Sequence, residues 1–196
     1  MAAISPIPSS DWTAAIATVV AAFAADPVER WMWPEADTYE SCFPEFVAAF
    51  GGEAFEHGSA WGLAGAGAVA LWLAPGIESD EEAVVSVLSE TVARDKHDDL
   101  FSTLEQMAAA HPTYPHWYLP WLAVAPPLQG RGLGAQLLEH GLAIVDADGL
   151  PAFLETPNPR TVPLYERFGF KVIATPQAGS CPPMTSMLRA AAAAVV

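Results

Sequence analysis

The sequence predicts a mixed α/β (α+β) chain, with a central sheet of about six to seven strands flanked by helices. Three observations carry this. First, Trp117 to Val124 is aromatic and β-prone, whereas Leu133 to Val145 repeats its apolar residues at helical spacing (Leu133, Leu137, Gly141, Ile144 and Leu138, Leu142, Val145). Second, two short apolar runs, Gly58 to Leu63 and Gly67 to Leu73, flank the small residues Ala64-Gly65-Ala66 and read as a hairpin. Third, a chain of 196 residues with 52% hydrophobic content and seven Trp can bury a core of its own. One domain, 1–196, is expected, with no internal repeat or linker.

The elements follow in order. Ile4 to Pro8 reads as a short first strand. Ser10-Asp11 reads as an N-cap before a helix from about Trp12 to Ala25. Pro27 to Trp33 and Tyr39 to His57 read as helical pieces, interrupted by Pro34 and Pro44. Trp31-Met32-Trp33 reads as core or as a pocket wall. After the hairpin come two acidic-faced helices, Asp80 to Arg94 and Asp98 to Ala110. His116 to Val124 is the fourth strand, although Pro120 removes a ladder donor and requires a bulge or a splay there. A helix, a strand from Pro151 to Glu155, a further helix and the strands Phe170 to Ala174 and Met184 to Leu188 complete the chain. The tail from Ala190 to Val196 has no periodic signal and is expected to fray.

Between the fourth strand and the following helix lies Gln129-Gly130-Arg131-Gly132-Leu133-Gly134. A helix N-terminus carries unsatisfied N–H groups and partial positive charge, and glycine lets a bulky anion approach that backbone. The physical reading is a pyrophosphate cradle. It is not a Walker loop, because Ala135-Gln136 follows Gly134 where Lys-Ser or Lys-Thr would be needed. Too little chain remains for a dinucleotide fold.

Downstream stand Asn158 and, seven residues later, Tyr165, within Leu164-Tyr165-Glu166-Arg167-Phe168-Gly169-Phe170. The Gln-x-x-Gly-x-Gly loop, the later Asn and the Leu-Tyr-x-x-x-Gly-Phe ending resemble the GNAT acyltransferase superfamily, from about His116 to Lys171. Within it, Pro151 to Thr156 and Pro163 to Arg167 are most similar to puromycin N-acetyltransferase and its relatives. The resemblance implies fourth and fifth strands that splay apart to admit a pantetheine arm, with a CoA-binding core over about 116–171. It implies acetyl-CoA as acetyl donor and CoA as product. The expected cofactor contacts are Leu122, Ala123 and Val124, the loop residues Gln129, Gly130, Arg131, Gly132, Leu133, Gly134 and Ala135, and Asn158 and Tyr165.

Transfer from a thioester to an amine needs a neutral amine, a stabilised carbonyl oxygen and a protonated leaving thiolate. By resemblance Tyr165 supplies the acid; otherwise it is a core tyrosine. Asn158 bonds the pantetheine, or forms an Asx turn before Pro159. Where some relatives carry a Glu on the fourth strand, this chain has Tyr118. The base is then Glu155, His116 or a water chain; structurally, Glu155 would be a strand-end contact and His116 a capping residue. Cys42 and Cys181 lack a basic neighbour that would activate a thiol, and the histidines show no metal spacing, so no metal is expected.

The formal charge of −15 argues against nucleic acid as a partner, which would need a basic surface. It serves solubility, or forms an acidic mouth for a cationic amine. No apolar run reaches the roughly 18 residues of a membrane span, and no signal peptide is recognisable, so a cytoplasmic, reduced protein is expected. The expected reaction joins acetyl-CoA to a small primary or secondary amine, in a monomer or homodimer. A non-catalytic CoA-binding protein and a protein or peptide N-acetyltransferase are the alternatives.

Overall fold

The computed structural model describes residues 3–63 and 65–192. The strands are β1 (Ser5–Pro6), β2 (Ala60–Leu63), β3 (Ala68–Leu73), β4 (Trp117–Val124), β5 (Ala152–Thr156), β6 (Lys171–Ala174) and β7 (Thr185–Arg189). They form one seven-stranded sheet in the order β1-β2-β3-β4-β5-β7-β6. Every pairing is antiparallel except β4 with β5, which are joined by a helical crossover. The mixed sheet anticipated from the sequence is therefore present.

The helices are α1 (Trp12–Phe23), α2 (Pro27–Met32), α3 (Ala36–Gly51), α4 (Glu53–Glu56), α5 (Glu81–Thr91), α6 (His97–Ala110), α7 (Leu133–Asp148) and α8 (Val162–Arg167). Two expectations change. The Asp11 side chain makes no capping bond to α1 and accepts from Ser10 Oγ instead. Pro44 does not interrupt α3, which runs through it. A proline inside a helix costs about 3 kcal/mol. Burying Tyr39, Phe43, Phe46 and Val47 on one side of α3 offsets that cost. At the hairpin, Gly65 and Ala66 both take positive φ, while Ala64 lies outside the described residues. Of the tail, Ala190 to Ala192 has no regular structure, and 193–196 lie outside the described residues.

Two cores sandwich the sheet. On one face Phe43, Phe46, Trp121 and Phe153 meet α1, α3 and α5. On the other, Leu137, Leu138, Leu142 and Val145 of α7 pack on Trp72, Leu119 and Leu154. Gly141 permits this approach, since a Cβ there would lie 2.4 Å from Trp72 Nε1.

The sheet opens at β4. Leu71 pairs with Trp121 but Leu73 pairs with Tyr118, so β4 carries one extra residue around Leu119 and Pro120. Pairing of β4 with β5 runs from Trp117–Ala152 to Leu119–Leu154 and stops there. From Pro120 onward β4 stays paired with β3 alone. The splay thus begins at the proline.

Candidate active site

A cavity of about 670 Å³ occupies the opening between β4 and β5. Its walls come from the end of β4, the glycine loop, the end of β5, α8, and the α1–α2 region with α3 and α6.

The β4 wall is backbone. Ala125 N donates to Gly67 O, so the antiparallel alternation turns the N–H and C=O of Ala123 and Trp121 toward β3. Leu122 and Val124 therefore face the gap with their backbone groups, and Ala123 does not. Of the three expected contacts on this strand, Leu122 and Val124 can offer backbone groups to the gap, whereas the backbone of Ala123 is taken up by β3. Gln129 Nε2 donates to Val124 O (3.0 Å), tying the loop to the strand.

Gly130 and Gly132 take φ of +74° and +78°, and no atom lies within 4 Å of a Cβ built at either. Backbone conformation, rather than crowding, requires glycine there. The first bond of α7 runs from Gln136 N to Gly132 O (3.1 Å). The N–H groups of Leu133, Gly134 and Ala135 therefore project from the helix end, where α7 places its partial positive charge. Gly134 adds little bulk, and a Cβ there would meet Val124 Cγ2 at 3.5 Å. A cradle of free N–H groups beside an open gap between strands fits a phosphate-bearing ligand with an extended arm. Arg131 does not line the cavity; it is exposed and donates to Pro127 O at 3.1 Å.

Glu155, on β5, lies across the gap. Tyr118 Oη donates to its Oε2 (3.3 Å) and Ser186 Oγ to its Oε1 (3.1 Å). Burial nevertheless dominates and pushes its carboxyl up to about 7. Tyr118, whose own hydroxyl is held well above its ordinary range by burial and by Glu155, stays a donor. Tyr118 pairs with Phe153 in the parallel register, so Glu155 lies two residues further along β5 on the same face. Sequence reading passed over both Tyr118 and Ser186 as partners of Glu155. The usable signal was the parallel register.

Tyr165 is 7% exposed on α8 and lines the cavity, its hydroxyl raised by burial alone. Asn158 also lines it, and Asn158 Oδ1 accepts from Arg160 N (3.0 Å) in the Asx turn weighed as its structural role. His116 does not line the cavity. Its Nδ1 faces Tyr114 O (2.8 Å) and its Nε2 faces His111 Nε2 (2.9 Å), against Phe153. Glu155, Tyr165, Asn158 and the loop therefore share one cavity, and His116 and Arg131 stand apart from it.

Two carboxylates unforeseen in the sequence, Asp26 and Glu29, also line the cavity, and Met32 beside them separates from Trp33, which is core. Cys42 and Cys181 are free thiols, and burial raises Cys181. Among the described residues no three His, Cys, Asp or Glu side chains gather as a metal site, and no helix is long and apolar enough to cross a membrane.

The profile of the Acetyltransferase (GNAT) family matches residues 16–170. Over 54 residues the chain is 41% identical to an uncharacterized N-acetyltransferase of Schizosaccharomyces pombe, a match covering 28% of this chain and 22% of that relative's length. Among solved structures, one described as histone acetyltransferase HPA2 and related acetyltransferase, from Corynebacterium glutamicum, is 25% identical with a TM-score of 0.64, covering 100% of this chain and 99% of that one. A polyamine N acetyltransferase of Drosophila melanogaster is 15% identical with a TM-score of 0.64, covering 96% of this chain and 98% of that one, and shows likeness of fold. A mosquito arylalkylamine N-acetyltransferase like 5b is 14% identical with the same TM-score of 0.64, covering 96% and 99%. With the family's profile spanning most of its length and the family's splayed strands and glycine loop in place, the chain belongs to the GNAT acetyltransferase family.

Proposed function

We propose that this chain is an acetyl-CoA-dependent N-acetyltransferase that acetylates a primary or secondary amine of a small molecule, by direct attack in a ternary complex. The observation that carries the reading is that one cavity holds both a backbone cradle for a phosphate-bearing donor and a carboxylate suited to taking a proton near neutrality. The chain spans 22% of the length of the curated relative it matches, so the activity rests on the family and on this cavity.

In this reading the loop N–H groups of 133–135 hold the donor's pyrophosphate, and Leu122 and Val124 align its pantetheine arm. Bound there, acetyl-CoA supplies the activated acyl group. Glu155 takes a proton from the ammonium, directly or through water, and leaves a neutral nitrogen lone pair. That nitrogen bonds the acetyl carbon as the carbon–sulfur bond breaks. Tyr165 gives its proton to the departing thiolate, and the acylated nitrogen sheds its surplus proton through water, which restores the tyrosine hydroxyl and leaves the neutral amide. Tyr118 and Ser186 fix the Glu155 carboxylate in place.

A walled cavity lined by Phe46, Phe50 and Trp121 favours a small acceptor over a peptide laid in an open groove. A cationic acceptor agrees with the −15 charge, with the polyamine-acetylating neighbour and with the suggested likeness to puromycin N-acetyltransferase. We place the CoA-binding core at 116–171 of a single domain. Self-association is a separate expectation that light scattering decides. The test of the function is thiol release from acetyl-CoA across a panel of small amines and peptides. Release with small amines and not peptides is expected. CoA binding without release from any acceptor would leave a non-catalytic CoA-binding protein.

A further inference from the structure

Asp26 and Glu29 are 6% and 4% exposed on the wall of the cavity. Asp26 has a structural role, because it caps α2 by accepting from Val28 N at 3.0 Å. Glu29 has none. Its Oε2 is a buried acceptor without a partner among the described residues. No ion pair among the described residues involves it. The adjacent cation, Arg30, donates to Pro34 O and lies over the Tyr39 ring, 5.5 Å from its centroid. A buried carboxyl without a partner is costly, and a cationic group of a ligand in the cavity would supply the partner that Glu29 lacks.

The cavity also has a second acidic pole. Glu155 stands on β5 and is bonded to Tyr118 and Ser186, not to either acid of α2, so the cavity holds two distinct acidic positions on separate elements. The remaining wall is largely apolar and aromatic, with Phe23, Phe46, Phe50 and Trp121. A ligand that satisfies both poles carries two cationic nitrogens joined by an apolar spacer.

We infer that Glu29, with Asp26 beside it, anchors a second cationic nitrogen of the acceptor, so that the preferred acceptors are diamines held at α2 by one end and presented to Glu155 by the other. This rests on the acetyltransferase reading above for the fate of the presented nitrogen, and on Glu29 alone for the anchor. Before a cation arrives, burial favours the protonated form of each carboxyl, most of all Glu29. Burial raises Asp26 to about 6, and burial together with Asp26 raises Glu29 well above the carboxylate range. The other ionisable groups facing the pair are Arg30 of α2, Tyr39 of α3 and Cys181 ahead of β7, with Asp99 of α6 acting on Cys181. Cation binding ionises Glu29, so diamine uptake near neutral pH releases protons.

The test is calorimetry on the full chain with 1,5-diaminopentane and n-pentylamine, in two buffers of different ionisation enthalpy. The diamine should bind tighter by on the order of tenfold or more, with an apparent enthalpy that depends on the buffer. Glu29→Gln should bring the affinity ratio of the two amines toward one and lessen the buffer dependence of the diamine to that of n-pentylamine. Equal affinities in the unaltered chain, or a ratio indifferent to Glu29→Gln, overturn the anchor. Thiol release from acetyl-CoA with the same two amines separates the two claims. Turnover without a diamine preference removes the anchor and leaves the enzyme. Glu29-dependent diamine binding without thiol release does the reverse.

Discussion

The cavity has two unlike walls, one made of backbone at the glycine loop and one made of side chains from the helices, which the proposed reaction assigns to donor and acceptor. At the loop, Gly130, Gly132 and the first turn of α7 present N–H groups whose directions are fixed by chain conformation. Across the cavity, Asp26, Glu29, Phe46, Phe50 and Met107 arrive from three separate helices. A backbone wall recognises phosphate and amide chemistry and tolerates changes in the side chains around it. A side-chain wall changes its preference with single substitutions. One fold can therefore keep its donor while its acceptor varies.

The largest effect is expected at Glu155, on β5 across the gap from the glycine loop. Glu155→Gln should lower single-turnover acetyl transfer by about 10² or more. In the unaltered protein the rate should climb with pH through about 7, because the carboxyl accepts a proton only once it has lost its own. A variant with the same rate and the same pH limb would exclude Glu155 as the base. Next is Tyr165→Phe, which should reduce turnover by about 10² while donor affinity, measured by calorimetry, stays close to unaltered. Unchanged turnover with chemistry rate-limiting would remove Tyr165 from the reaction.

The backbone wall is sharpened by Gly132→Val. At a φ of +78° any side chain is strained, so the loop must shift. CoA affinity should fall by about tenfold or more, about 1.4 kcal/mol. A variant of normal melting temperature that binds CoA normally would show that the cradle lies elsewhere. The smallest effect is that of salt. With a net charge of −15, kcat/KM for a cationic acceptor should fall several-fold, on the order of two to five, between low and high ionic strength. The rate for a neutral acceptor should hardly move, and equal salt responses would deny the acidic surface a steering role.

The same division explains what the sequence made legible. Glycine spacing between a β-prone run and a helical repeat marks a backbone wall directly, and β4, the loop and α7 all lie where that pattern puts them. The family resemblance singled out Tyr165 and Asn158, and both line the cavity. Glu29 was not legible, because nothing in Pro27 to Met32 distinguishes a buried Glu from an exposed one until α3 and α6 cover it. His116 stands apart from the cavity because it precedes β4, where its Nε2 faces His111 Nε2 just beyond the end of α6. Pro44 misled because local propensity was weighed without the aromatic burial that overrides it.

Pro120 has one more consequence. With no N–H at that position, the ladder between β4 and β5 cannot extend past Leu119 by its next donor, even when nothing is bound. Closing the gap by strand pairing would leave an acceptor on β5 without a partner, so one covalent ring biases the two strands to stay apart and lessens what an entering ligand must spend to part them.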